Sequence, residues 1–130
     1  MPAIFPATLL AWCVIWTVLA GVAMLRGATA RPGGSGRSAV GFWSMTLFWI
    51  AIDVGIIGWA ALDPVADVSE FRHLLLVNGC LDVVYVIVGF VMIRSRNPMV
   101  GGFARAIIVQ GGFLLVFDFI WWWLLAGSVG

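Results

Sequence analysis

The chain has 130 residues, of which 63% are hydrophobic and 10% charged, with seven arginines, six acids and a formal net charge of +1. Eight tryptophans and a mean hydropathy of +1.11 exclude a single small soluble domain and mark an integral membrane protein. No nucleic-acid partner is expected of such a chain; membrane lipid is.

A hydrocarbon core about 30 Å thick needs roughly 20 apolar residues at 1.5 Å each. Four stretches meet that length, near residues 4–25, 41–62, 74–93 and 106–126. The expected fold is therefore all-α, a four-helix transmembrane bundle forming one domain over residues 1–130, with no room left for a soluble one.

The first stretch ends at Ala28-Thr29-Ala30, which has the small-x-small look of a signal-peptidase site. Its apolar run is too long for a signal peptide, no basic residue precedes it and Arg26 follows it, so it is read as a span. Along it Cys13, Thr17 and Gly21 recur every four residues, the small-xxx-small pattern that lets membrane helices approach closely. Residues 27–38, with Arg-Pro-Gly-Gly-Ser-Gly-Arg inside them, read as a flexible linker whose arginines touch anionic headgroups.

The second stretch carries Asp53, and Ala51 and Gly55 beside it repeat the small-residue spacing. The link to the third stretch holds Asp63, Asp67 and Glu70 against Arg72 and His73. Asp67 and Glu70 are spaced to cap the third helix, Asp63-Pro64 suits a short surface turn, and Arg72 is expected to pair with one of these acids. On the third stretch Asn78, Asp82, Tyr85 and Gly89 lie three or four apart and share a face. The fourth carries Gln110, Gly111, Leu114 and Asp118, then Trp121 and Trp122.

Short loops rich in arginine stay in the cytoplasm. Residues 26–40 hold Arg26, Arg31 and Arg37, and residues 94–105 hold Arg94, Arg96 and Arg105. Both loops are expected inside the cell membrane, the acidic 63–73 link outside, and both termini outside.

With that orientation Asp53 and Asp82 each lie about nine residues, roughly 14 Å, from the outer ends of their spans, and Asp118 about 12 Å. Three acids on three spans thus reach one layer, with no basic residue in the spans to neutralise them. An Asp at the centre of a membrane helix costs roughly 2.5–3.5 kcal/mol on insertion scales, so such residues are by default candidates for function. The alternative, that they glue helices together, gains about 0.6 kcal/mol per interhelical hydrogen bond on average. Burial and mutual repulsion favour neutral carboxyls, and at least two of the three are expected to be protonated unless a cation is present.

The expected site is therefore Asp82 at the centre, Asp53 and Asp118 as partners, and Asn78 and Tyr85 orienting them. It would bind or pass a proton or a hard cation such as sodium, calcium, magnesium or manganese. One histidine and two unpaired cysteines, Cys13 and Cys80, offer no zinc or haem site and no cofactor is identified. Both cysteines fall in the outer half, so a disulfide is conceivable if the first and third helices touch, but the expectation is that both are free and pack as small apolar side chains. Six of the tryptophans belong to the outer half and suit an interfacial belt, or an aromatic vestibule for an organic cation. Nothing points to an enzyme. A homo-oligomer, with Gly55, Gly58 and Gly89 as packing faces, is one possible assembly. A larger complex, whose partner chain or cofactor pairs with the aspartates, is the other.

The pattern Gly-x-x-Met-Leu/Ile-Arg occurs at Gly21–Arg26 and again at Gly89–Arg94, and Phe48 and Asp53 match Phe113 and Asp118 in spacing. The repeat suggests two pseudo-repeated helical hairpins. In size and helix count the chain is similar to small multidrug-resistance exporters, but it has no acid in the first helix where theirs is essential. Gly79-Cys80-Leu81-Asp82 lacks the second glycine of the intramembrane aspartyl protease motif. Residues Asn78 to Tyr85, Gln110-Gly111-Gly112-Phe113 and Phe117-Asp118 resemble a family of small four-helix prokaryotic membrane proteins of unknown function. That resemblance covers mainly the C-terminal half and implies no activity.

Overall fold

A computed structural model describes residues 4–62 and 67–128, and within them the chain forms four long helices and no strand. They are α1 (Ile4–Leu25), α2 (Gly34–Leu62), α3 (Val68–Met92) and α4 (Pro98–Leu124), with single 3-10 turns at Ala28–Ala30 and Leu125–Ser128. All four are long and apolar enough to cross a membrane. The turn expected at Asp63-Pro64 lies outside the described residues.

Three helices start earlier than hydropathy suggests, because caps and backbone geometry set helix ends. Asp67 caps α3, its Oδ1 accepting from the Ser69 amide at 2.9 Å, and Glu70 lies in the first turn where the helix dipole favours an anion. Asn97 does the same for α4 through the Met99 amide at 3.0 Å, with Pro98 as the first helical residue. Gly27 and Gly33 take positive φ angles of 75° and 76°, which brackets the 3-10 turn and lets α2 begin at Gly34, inside the segment expected to be a flexible linker.

Helix α4 is the axis of the bundle, packed closely along both α2 and α3, while α2 and α3 approach each other little. Glycines set the close approaches. A Cβ on Gly102 would overlap the Ser38 carbonyl, and one on Gly41 would overlap the Met99 carbonyl, so α2 and α4 cross almost backbone to backbone at the arginine-rich end. On the other flank a Cβ at Gly89 would sit 2.8 Å from Ile108, one at Gly79 3.2 Å from Phe119 and one at Gly111 3.3 Å from Val86. At the far end Phe5, Leu9, Phe71, Leu75, Phe117 and Leu125 form the buried apolar core, with Phe5 against Phe71 and Phe117 at 5.1 and 5.0 Å between ring centres.

Several expected packing roles change. Gly89 is a close-contact glycine, but Gly21 and Gly55 have nothing within 4 Å of a would-be Cβ, because these faces of α1 and α2 are left uncovered. Thr17 turns its hydroxyl back to the Cys13 carbonyl of its own helix at 2.7 Å. Helix α1 lies along α2, burying Cys13 and Ala20, and reaches α4 through rings, Trp12 stacking on Phe113 with centres 3.6 Å apart and planes 4° from parallel. The two hairpins consequently pack differently, Gly89 buried against α4 while its repeat-mate Gly21 is open. Cys13 is buried and Cys80 exposed, and both are free.

Arg72 makes no pair with Asp67 or Glu70. Its Nε donates to the Trp122 carbonyl at 3.1 Å and its guanidinium lies 5.0 Å over the Trp122 ring. The last carbonyls of α4 lack intrahelical donors, and a planar, stackable cation satisfies one of them better than an exposed carboxylate could reward it.

Candidate functional site

Along α2, residues 46, 49, 50 and 53 recur at helical spacing and all are buried: Thr46, Trp49, Ile50 and Asp53. Along α4 the spacing Gln110, Leu114, Asp118 aims one stripe at the same interior, and on α3 Asn78, Asp82 and Tyr85 supply the third wall. The contacts fix the register. Gly79 faces Phe119 and Gly111 faces Val86, so Asp82 lies less than one turn from the level of Asp118. Trp49 meets Tyr85 edge to face at 5.2 Å, which sets Asp53 level with Asp82 across the gap between α2 and α3.

These residues line one cleft of about 310 Å³, and Asp53, Asp82, Asp118, Asn78 and Tyr85 all reach it. The three aspartates are 1%, 5% and 6% exposed, and they lie within electrostatic range of one another. Oδ2 of Asp53 and Oδ2 of Asp82 are buried without a hydrogen-bond partner. Among the described residues neither Asn78 nor Tyr85 donates to a carboxyl. The two expected orienting residues share the wall without fixing the acids.

The cleft has a closed end on each side and an open flank. Toward the arginine-rich end lie the Trp49–Tyr85 contact and, beyond it, the glycine crossing of α2 and α4. Toward the other end Phe5, Leu9 and Phe117 of the apolar core form the roof. Between α2 and α3 the rim residues Phe48, Ile52, Ile56, Leu81 and Tyr85 are 57%, 38%, 41%, 47% and 40% exposed. That side faces outward from the bundle, where a membrane-spanning chain meets lipid.

The donor set is sparse. Among the described residues no group of three or more His, Cys, Asp or Glu is placed to hold a metal ion. The carboxyls stand around a space, while Ca²⁺ takes six to eight oxygens at 2.3–2.6 Å and Mg²⁺ demands a near-ideal octahedron. The remaining walls are aromatic and aliphatic.

Sequence reading overlooked the tryptophan inside the site and Thr46 below it, although it set Gln110 deeper than the acids, nearer the cytoplasmic side. Trp49 is 8% exposed and its Nε1 has no acceptor, and it lines the cleft with Asp53. Deeper toward the arginine-rich end, Gln110 and Thr46 are fully buried; Trp12 Nε1 donates to Gln110 Oε1 at 2.8 Å, while Gln110 Nε2 and Thr46 Oγ1 have no partner. The i, i+3, i+7 spacing of Thr46, Trp49 and Asp53 was the signal available. Of the tryptophans assigned to a belt, Trp59 and Trp123 are 70% and 69% exposed, whereas Trp12 and Trp16 are half-buried and pack against each other.

Four spanning helices around buried carboxyls define the class: a small multi-pass membrane protein with an acidic cleft between its helices. The chain belongs to a family of unknown function, DUF6992, matched over residues 8–119, which takes in part or all of every helix. No curated protein and no solved structure matches it.

Proposed function

We propose that the protein binds a proton or a monovalent cation at the carboxyl cleft, near the middle of the membrane. The observation that carries this reading is the pair of buried, unpartnered carboxylate oxygens of Asp53 and Asp82 on facing walls, with Asp118 beside them and, among the described residues, no basic one lining the space. A buried polar atom without a partner costs roughly 1–3 kcal/mol, and an occupied or protonated cleft offsets that cost. Asp82, within electrostatic range of both others, is taken as the central ligand in this reading.

Binding is better supported than passage. Both ends of the cleft are closed by close packing, so transport would need α2 to move relative to α3. The arginine-rich loops favour a cell-membrane orientation with residues 26–40 and 94–105 in the cytoplasm, which leaves the aromatic roof on the outer side.

The test uses a hydrophobic carbodiimide, which modifies neutral carboxyls inside membranes, on the protein in lipid nanodiscs. Modification is expected at Asp53, Asp82 or Asp118, slowed at high pH and by an occupying cation, and lost site by site in the Asn variants. Unmodified aspartates across pH 5–9, with no proton or cation uptake into liposomes, would refute the proposal.

A second reading has one observation in its favour. Gly55 and Gly58, on the side of α2 turned away from Asp53, are open to a Cβ without contact, which suits a partner helix packed against the outside of α2. Native pull-down of a stoichiometric membrane partner, together with an inert Asp82→Asn variant in liposomes, would favour this accessory role.

A further inference from the structure

We infer that the cation taken by this cleft is an amphiphilic organic ammonium that enters sideways from the bilayer, its charged head among Asp53, Asp82 and Asp118 and its apolar tail leaving between α2 and α3. The inference rests on the cation-binding reading and names the ligand class.

Three features converge on it. The open flank is apolar: Ile52, Ile56 and Leu81 stand partly exposed on its two lips, so a tail is matched there and a hydrated ion is not. The described residues place no three metal-type ligands together, so an inorganic ion would keep an unsatisfied coordination shell. An ammonium is less demanding, because it donates to one or two carboxylates and is attracted to ring faces within about 6 Å. Phe5, Trp49, Tyr85 and Phe117 put such rings on the walls.

Size and the indole complete the case. A cleft of about 310 Å³ is at the small end of ligand pockets, roughly 300–1,000 Å³. It admits a head group and a few methylenes, but no helix about 10 Å across. Independently of the acids, Trp49 Nε1 is more than nine-tenths buried on the same wall and lacks an acceptor. Buried N–H groups are paired in folded proteins, so the occupant is expected to carry an acceptor oxygen next to its amine, as an amino alcohol does.

The experiment photolabels the protein in nanodiscs with a long-chain 2-amino alcohol bearing a diazirine in its tail. A chain-matched diol without nitrogen is the control. The amine is expected to label residues of the flank, Ile52, Ile56 and Leu81, at least tenfold more than the diol. Asp82→Asn and Asp53→Asn should each reduce labelling at least tenfold, with helix content unchanged by circular dichroism. In the wild-type protein, lowering the pH to 5 should suppress labelling, since protonated carboxyls no longer attract the head; this needs no variant to fold. An amine lacking the neighbouring oxygen should label several-fold less.

Equal labelling by amine and diol, or labelling spread over all four helices, would mean annular lipid only and would overturn the inference. Should the amine fail while sodium still protects Asp82 from carbodiimide, the cation site stands and its ligand is inorganic. Should an apolar transmembrane peptide with one central lysine protect Asp82 where the amine does not, the occupant is a partner helix. Failure of all three probes overturns the inference and the cation half of the reading together, leaving only the proton that the carbodiimide test reads.

Discussion

Replacing Asp53 by leucine should make the bundle more stable. Asp53 is 1% exposed, and its Oδ2 has no hydrogen-bond partner among the described residues. An unsatisfied buried polar atom costs about 1–3 kcal/mol, and leucine removes it with the same γ-branched shape, its larger volume extending into the cleft that Asp53 lines. Taking 1.4 kcal/mol per factor of ten, the folded population relative to unfolded should rise roughly 5- to 150-fold. Asparagine should recover much less, because its amide stays unpaired in the same place. The assay is reversible unfolding in bicelles, by steric trapping or by denaturing detergent, at pH 7 without added ligand. Stabilisation with loss of carbodiimide reactivity is the signature of a site retained at a cost to stability. Destabilisation of about 2 kcal/mol or more by the leucine variant would mean that the carboxyl holds helices together, and the functional reading of the acids would fall with it.

Other substitutions separate the contacts that build the scaffold. Gly102→Leu should destabilise by at least the 1–3 kcal/mol typical of overpacking, since even a Cβ there overlaps the Ser38 carbonyl, whereas Gly21→Ala and Gly55→Ala should be neutral or slightly stabilising; the same unfolding assay measures all three. Gln110→Leu should cost about 1–3 kcal/mol by orphaning Trp12 Nε1, and adding Trp12→Phe to it should return part of that loss, because Phe keeps the stacking on Phe113 without the indole donor. Arg72→Lys should cost about 1 kcal/mol despite keeping the charge, through loss of the Nε bond to Trp122 and of planar stacking, and the loss should be insensitive to salt between 50 and 500 mM; a strongly salt-dependent loss would point to an ion pair instead.

Much of this architecture was legible because hydropathy and helix length are additive along the chain. The bounds of α1 were read correctly, and Asp67 stood out as a cap because the N-cap preference is local. The common depth of Asp53, Asp82 and Asp118 was also readable, since rise per residue converts sequence position to height. Which small residues meet another helix was not. Gly21, Gly55 and Gly89 carry the same spacing signal, and only Gly89 is covered, because coverage depends on which helices become neighbours. Of the closest crossing, Gly102 sits outside the spans that hydropathy alone marks and Gly41 only at the edge of one. Arg72 was misplaced for a similar reason. Its partner, the Trp122 carbonyl, is a backbone group 50 residues away that no side-chain pattern announces.

The distribution of close contacts bears on why the acids persist. If carboxyls served to fasten helices, they would sit where helices approach most closely, since a hydrogen bond needs about 3 Å between heavy atoms. Here the tightest approaches belong to glycines: Gly41 and Gly102 between α2 and α4, and Gly79, Gly89 and Gly111 between α3 and α4. These contacts hold α2 and α3 each to α4, and the polar side chain that joins α3 to α4, Arg72 on the Trp122 carbonyl, sits at the helix ends away from the acids. Asp53 and Asp82 face each other where α2 and α3 part, the one gap that the axis of the bundle leaves unfilled. A scaffold built on glycine crossings, with the acids where α2 and α3 part and not at those crossings, supports the proposal that the carboxyls serve whatever enters the opening.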